Sequence, residues 1–172
     1  MPPIIESGMT FGPYPEGHCF HIEKSATYAA IQEGVRMGEF FLLRRQEGKP
    51  PVVLVVEAKS SAPRPESNPN FGDYISEIRE KLVNGLTLGV ASCLRRHASA
   101  AAELPEPFQT LDLTSSGFRL VLVINAHKKE WLPPLQDALV SALHPTTQTW
   151  ALGANAVAVI NEEGARKHGL IA

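Results

Sequence analysis

A run of five apolar residues, Val52–Val56, constrains the fold of this chain more than any other feature. Four of the five are valine, and a continuous run of β-branched residues is typical of a strand that is covered on both faces. A half-exposed strand would instead alternate between apolar and polar residues. We therefore predict a central strand over Pro51–Lys59, in a sheet that has helices packed against it.

A second strand is predicted over Met37–Arg44, immediately before the central one. A short turn around Glu47–Lys49 separates the two segments, and this spacing is typical of an antiparallel hairpin. The sequence therefore predicts that these two strands are direct neighbours in the sheet.

A long amphipathic helix is predicted from Phe71 to about Leu94. Its apolar residues recur at intervals of three and four positions: Phe71, Tyr74, Ile75, Ile78, Leu82, Leu86, Val90 and Leu94. Asn70 is a favourable N-cap residue for this helix. Gly85 and Gly89 lie one turn apart, and they allow the helix to approach another backbone closely although they lower its helix propensity.

The remaining segments extend an α/β pattern. Strands are predicted over Phe118–Asn125 and Ala156–Asn161, with a short helix from Pro133 or Pro134 to about Leu143 between them. The N-terminal region is less regular, with two short strands and a short helix predicted over Ser7–Tyr14, Cys19–Ile22 and Ser25–Gln32. This order of elements predicts an α/β fold with a central mixed β-sheet flanked by helices, formed as a single domain over residues 1–172.

Composition limits the classes of protein to which the chain can belong. With 13 Gly and 14 Pro among 172 residues, it lacks the bias of collagen or of disordered proteins. The longest apolar runs have five residues, whereas about 18 are needed to cross a bilayer.

The start of the chain lacks the basic and apolar segments of a secretory signal. Two cysteines, Cys19 and Cys93, suit a reducing cytoplasm. The net charge of −2 excludes a general positive field, so any contact with nucleic acid must be local.

Charged residues follow the buried strand where it is predicted to end. Glu57 and Lys59 are two positions apart, so their side chains point to the same face of the sheet. Glu39, on the preceding strand, shares its face with apolar neighbours, where an ionised carboxylate is costly unless a cation compensates. Glu39 lies nine residues before Gly48 and Glu57 lies nine residues after it (48 − 39 = 57 − 48 = 9), so hairpin pairing brings the two carboxylates together.

Two converging carboxylates and a lysine are suited to hydrolysis of a phosphodiester with Mg²⁺, because hard oxygen ligands bind this ion and an ammonium offsets charge on the phosphate. Glu39 followed eighteen residues later (57 − 39 = 18) by Glu57-Ala58-Lys59 and then by a long helix resembles the PD-(D/E)XK, or restriction-endonuclease-like, nuclease superfamily. The resemblance extends over about Arg36–Arg96. It departs from the commonest pattern because Glu39 replaces an aspartate and follows Gly38 instead of a proline.

The resemblance implies a restriction-endonuclease-like fold and a Mg²⁺- or Mn²⁺-dependent endonuclease or other phosphodiesterase that acts on DNA, with RNA as the alternative. It implies that Glu39 and Glu57 bind the metal and that Lys59 assists the attacking water. Members of the family also have an N-terminal acid, for which Glu23 and Glu33 are the candidates. A homodimer is expected of a nuclease that cuts both strands.

Other polar residues are assigned less specific roles. Glu77 and Lys81 share the first turns of the long helix and are candidates for the site, although we expect them to lie on a solvated face. His21 lies near Cys19 but lacks the spacing of a zinc site, so we expect a structural role for it. The basic residues of His127–Lys129 and nearby Trp131 are candidates for contact with nucleic acid.

Two alternatives to an enzyme remain open. The same fold without turnover would act as a nucleic-acid-binding or protein-interaction subunit of a larger complex. In the other alternative, Glu39, Glu57 and Lys59 form a buried ion-pair network that only fixes the register of the strands.

Overall fold

The computed structural model describes residues 1–172 and contains a five-stranded mixed sheet. The strands are β1 (Ile4–Glu6), β2 (Met9–Phe11), β3 (Cys19–Phe20), β4 (Phe40–Arg44), β5 (Val52–Lys59), β6 (Gly117–Ile124) and β7 (Val157–Asn161). The large sheet has the order β3-β4-β5-β6-β7, while β1 and β2 form a separate antiparallel pair. Strands β3, β4 and β5 pair antiparallel, and β5, β6 and β7 pair parallel. The predicted α/β class and mixed sheet are therefore confirmed.

Helices cover the sheet unequally. They are α1 (Ala26–Ala29), α2 (Asn70–Cys93), α3 (Ala100–Glu103), α4 (Glu106–Gln109), α5 (Leu132–Thr149) and α6 (Glu162–Lys167). The long helices α2 and α5 pack with one face of the sheet in the larger hydrophobic cluster. The smaller cluster, on the other face, contains residues of the β1–β2 hairpin, α6 and the C-terminus.

The central position of β5 explains the apolar run from which its strand was predicted. Val53, Val55 and Val56 are at most 1% exposed, because β4 and β6 flank the strand and side chains pack on both of its faces. The antiparallel hairpin of β4 and β5 is also confirmed, with Phe40 opposite Val56 and Arg44 opposite Val52.

Strand β4 begins at Phe40, three residues later than predicted. The backbone N–H of Gly38 donates a hydrogen bond to the Lys81 carbonyl of α2 at 3.1 Å, and it therefore does not pair with a strand. The segment before Phe40 consequently contacts both the sheet and the long helix, and this geometry determines where Glu39 lies.

Helix α2 has almost the predicted bounds, but its N-cap differs. Pro69 occupies the cap position with no side-chain cap hydrogen bond, and Asn70 is the first helical residue. The close approach predicted for the glycines is present. A Cβ atom at Gly85 would lie 2.9 Å from Val55 Cγ1, and a Cβ atom at Gly89 would overlap the Phe41 ring.

Helix α5 is longer than predicted and continues through Pro145 to Thr149. Its buried residues Leu135, Leu139 and Leu143 are four apart and face the core. The N-terminal strands are shorter than predicted. No helix of the structure is both long and apolar enough to cross a membrane.

Candidate active site

Glu39 and Glu57 are neighbours at the edge of the sheet where the parallel strands end. Glu39 immediately precedes β4, and its N–H donates to the Val56 carbonyl at 2.9 Å. The ladder ends at the pair Phe40 and Val56, and Glu39 and Glu57 directly follow it on the two strands. The charge of Glu57 acts on Glu39, so the two carboxyls lie near each other. The carboxyl edge of parallel strands is the usual location of binding sites in open α/β sheets. The hairpin thus brings the two glutamates to the same end of the sheet, whereas the potential ligand atoms that cluster with Glu39 come from residues other than Glu57.

Glu57 is completely buried, and both of its lysine neighbours lie at the same carboxylate oxygen. Its Oε1 accepts a hydrogen bond from Lys81 Nζ at 2.8 Å and lies 3.8 Å from Lys59 Nζ. Its Oε2 is buried and has no hydrogen-bond partner. Burial raises the pKa of Glu57 to about 7, although both lysines act in the opposite direction. The carboxylate therefore has one oxygen available to a cation.

Glu39 is 5% exposed, and its Oε2 is also buried without a partner. Burial raises the pKa of this carboxyl well above its ordinary value, and the neighbouring carboxyls of Glu23 and Glu57 raise it further. In the metal-free protein this combination favours a protonated Glu39 at neutral pH. A divalent cation would reverse that preference, because metal ligands must be deprotonated.

Glu39 also belongs to a group of four side chains from the N-terminal half of the chain that offer potential metal-ligand atoms. Its other members are Glu6 at the end of β1, His21 after β3, and Glu23 in the 3₁₀ turn at residues 22–24. One potential ligand atom from each residue lies within 4.8 Å of those of the other three. This set of carboxylates and one imidazole fits a divalent metal such as Mn²⁺.

His21 has the protonation state that a metal ligand needs. Its Nε2 is buried without a hydrogen-bond partner, and burial lowers the pKa of the imidazole. A neutral imidazole has a lone pair available for a cation. The unpartnered atoms of His21 and Glu39 are therefore compatible with a metal ion in this cluster.

The sequence identified only part of this group. Glu23 was one of two candidates for the N-terminal acid, and its N–H donates to the Glu39 carbonyl at 3.2 Å. The other candidate, Glu33, is exposed and lies outside the group. The sequence does not single out Glu6, and it considers His21 only for a zinc site with Cys19, because only the folded N-terminal segment brings the two residues to Glu39.

The expectation that Glu77 and Lys81 lie on a solvated face is wrong. Lys59 Nζ donates to Glu77 Oε1 at 2.7 Å, and Lys81 Nζ donates to Glu57 Oε1. The two helix residues are one turn apart, so both reach the end of β5. The hydrogen bond from Lys59 lowers the pKa of Glu77. Basic and acidic side chains consequently alternate across the site, in the order Lys81, Glu57, Lys59 and Glu77.

An aromatic and basic patch lies just beyond the end of β6. Trp131 is 37% exposed, and its ring has the Arg64 guanidinium at 5.1 Å and Lys128 Nζ at 4.9 Å. His127 packs edge-on at 5.3 Å between ring centroids. Strand β6 ends beside Lys59, whose partner in the register is Ile124. The patch, defined by Arg64, His127, Lys128 and Trp131, therefore follows the same edge of the sheet.

No family model, curated protein or solved structure matches this chain.

Proposed function

We propose that this protein is a metal-dependent nuclease, similar to the PD-(D/E)XK enzymes, that hydrolyses phosphodiester bonds of nucleic acid and acts primarily on DNA. The supporting observation is the pair of adjacent buried carboxyls, Glu39 and Glu57, each with an oxygen that contacts no donor. Leaving such groups unsatisfied costs about 1–3 kcal/mol each, and more when they are charged. A divalent cation at either oxygen would offset this cost there.

The proposed metal ligands are Glu39 and Glu57, with Glu23 as the N-terminal acid. When bound, Mg²⁺ or Mn²⁺ supplies a Lewis acid for the phosphate and a coordinated water of lowered pKa. Carboxylate oxygens are the ligands that both ions accept. The burial of the two central glutamates excludes bulk water and strengthens their interaction with a cation.

Lys59 is the proposed residue that orients the attacking water and offsets charge on the phosphate. Its ammonium lies 3.8 Å from Glu57, and Glu77 holds it at 2.7 Å. It is partly exposed, so a substrate can reach it. Lys81 has a positioning role, because its ammonium holds one oxygen of Glu57 and leaves the other free.

The aromatic and basic patch supports nucleic acid as the substrate class. An exposed tryptophan can stack with a base, while lysine and arginine contact the phosphates. The chain as a whole has a net charge of −2, so this positive charge is local. The patch lies at the same edge of the sheet as Lys59, where it can position a nucleic-acid strand next to the carboxylates.

A non-catalytic role is the second candidate, and the contacts of Glu57 are the observation that favours it. Lys59 and Lys81 already provide two positive charges at one oxygen of this carboxylate. Such a network could fix the register of β4 and β5 without a metal, or serve in a subunit of a larger complex. It does not account for the unpartnered oxygens.

We further propose a cytoplasmic location and a homodimer. Cys19 and Cys93 are both free, as is usual in a reducing compartment. Two copies would supply the two sites that cleavage of both strands requires. Sedimentation equilibrium tests the second point, because a monomer would limit the enzyme to nicking or to single-stranded substrates.

The nuclease proposal is tested with supercoiled plasmid and single-stranded oligonucleotides in Mg²⁺ or Mn²⁺. We expect Glu57→Gln and Lys59→Met to lower the cleavage rate by about 100-fold or more, since the first change removes a charged metal ligand and the second removes the ammonium that offsets charge on the phosphate. Glu47→Gln is the matched control, because Glu47 is an exposed glutamate in the turn between β4 and β5, at the opposite end of these strands from Glu39 and Glu57.

The two candidate functions give different results. Cleavage at the unaltered rate by both site variants would contradict the assignment. Metal binding without cleavage of any nucleic acid, by the wild-type protein, would favour the non-catalytic subunit.

A further inference from the structure

A second concave surface lies on the face of the sheet opposite α2 and at the opposite end of the strands from the carboxylates. This groove has a volume of about 360 Å³. Aliphatic side chains from three neighbouring strands line it: Val52, Leu54, Val121, Ala158 and Ile160. The C-terminal residues that cover the rest of this face extend only to its edge, where Leu170 contributes to the lining.

The groove has positive charges at its rim and no acidic residue in its lining. Arg44, Lys49 and Arg119 line it, together with His168. Neither arginine forms a side-chain hydrogen bond or an ion pair with another residue. By contrast, the cations of the adjacent α6 are paired with glutamates of the same helix. The charge at the groove is therefore unpaired.

Strand register determines how the two arginines are arranged around the apolar surface. Arg44 is opposite Val52 across the β4–β5 ladder, and Arg119 is opposite Leu54 across the β5–β6 ladder. The arginines thus come from the strands on either side of β5. Burial and the charge of Arg119 lower the pKa of Arg44. An anion between the two would relieve this repulsion.

We propose that the groove binds a small organic anion, a carboxylate on an apolar body. A planar guanidinium pairs well with a carboxylate, and the aliphatic surface accommodates the hydrocarbon part. The volume is within the range of small-molecule sites. A nucleic-acid backbone would match the charges but leave the apolar surface of β5 without a partner. This site is separate from the proposed nuclease centre and does not depend on it.

The test is isothermal titration calorimetry of the whole chain with decanoate. We expect saturable binding of one molecule per chain. Arg119→Gln should weaken it by roughly tenfold or more, because a hydrogen bond to a charged group is lost. Arg119 is exposed, so this variant should fold normally. Arg96→Gln is the matched control, since Arg96 is an exposed arginine beyond the end of α2.

Two further arms separate the contributions of charge and apolar surface. Decanol and inorganic phosphate, each of which has only one of the two features, should both bind more weakly than decanoate. Ala158→Leu should abolish decanoate binding by filling the groove, while circular dichroism shows an unchanged fold.

Three results would overturn the proposal. These are no binding of decanoate by the folded protein, equal binding by wild type and Arg119→Gln, and phosphate binding as strong as that of decanoate. Displacement of decanoate by a single-stranded oligonucleotide that binds more tightly would assign the groove to nucleic acid instead.

Discussion

At the scale of single residues, the main feature of the site is a pair of buried carboxyls, for which burial disfavours the ionised form. Glu39 and Glu57 are buried, and the pKa of each is raised above its ordinary value near 4.5. Natural proteins tolerate such groups where they bind or react, and perturbed pKa values are concentrated at functional sites. The same two residues should therefore reduce the stability of the metal-free protein.

This cost leads to a prediction on the pH dependence of stability. Between pH 4.5 and about 7, the folded protein keeps a proton on Glu57 that the unfolded chain releases. Stability therefore falls as the pH rises through this window, and Glu39 extends the loss to higher pH. In the presence of EDTA, Glu39→Gln should be more stable than wild type at pH 8, by about 2 kcal/mol.

Urea unfolding of both proteins at pH 5 and pH 8 measures the effect. The advantage of Glu39→Gln should be smaller at pH 5, because this pH lies close to the ordinary pKa of 4.5 and the unfolded wild-type chain gains little by releasing the Glu39 proton there. An equal change of stability with pH in the two proteins would show that the Glu39 carboxyl does not titrate as its burial implies.

At the scale of elements, α2 is the helix that completes the site. Its residues Glu77 and Lys81 reach the lysine and the glutamate of β5 because Gly85 and Gly89 let the helix lie against the sheet. For this reason, the prediction that Glu77 and Lys81 lie on a solvated face of α2 was wrong. Charge pattern alone does not distinguish a carboxylate in water from one that faces a charged group on a strand.

The close approach of α2 predicts opposite effects for two Gly→Ala changes in the same helix. A methyl group at Gly89 would overlap the Phe41 ring, whereas one at Gly72 would meet nothing within 4 Å. Gly89→Ala should destabilise the protein by about 1–3 kcal/mol, because overpacking outweighs the gain in helix propensity. Gly72→Ala should stabilise it by up to about 1 kcal/mol.

Chemical denaturation of the two variants beside wild type gives the comparison. Stabilisation by both changes would mean that the Phe41 ring moves without cost and that the packing between α2 and β4 is loose.

At the scale of the whole molecule, short-range signals in the sequence predicted the centre of the fold better than its periphery. The valine run predicted β5, and counting from the turn brought Glu39 to the end of the sheet at which Glu57 lies, because both features depend on neighbouring segments. Glu6 and His21 come from segments with strands of only three and two residues. Such strands have little periodicity, so the sequence offered no signal that they reach Glu39.

The cluster of Glu6, His21, Glu23 and Glu39 therefore joins the N-terminal segment to the sheet, and a bound metal should stabilise the entire fold. A cation at one hundred times its Kd adds about 2.7 kcal/mol, because it binds the folded state alone. For a chain of this length, Mn²⁺ should raise the Tm by about 5 to 10 °C.

Differential scanning calorimetry of wild type and variants checks this expectation. Glu39→Gln should lose the response to Mn²⁺, while Glu47→Gln, in the exposed turn between β4 and β5, should retain it. His21→Asn separates two positions of the ion. A reduced response would place the ion within reach of the imidazole, and a full response would mean that carboxylates bind it without His21. An unchanged response in Glu39→Gln would exclude Glu39 as a ligand, and the buried carboxyls would then serve only the register of β4 and β5.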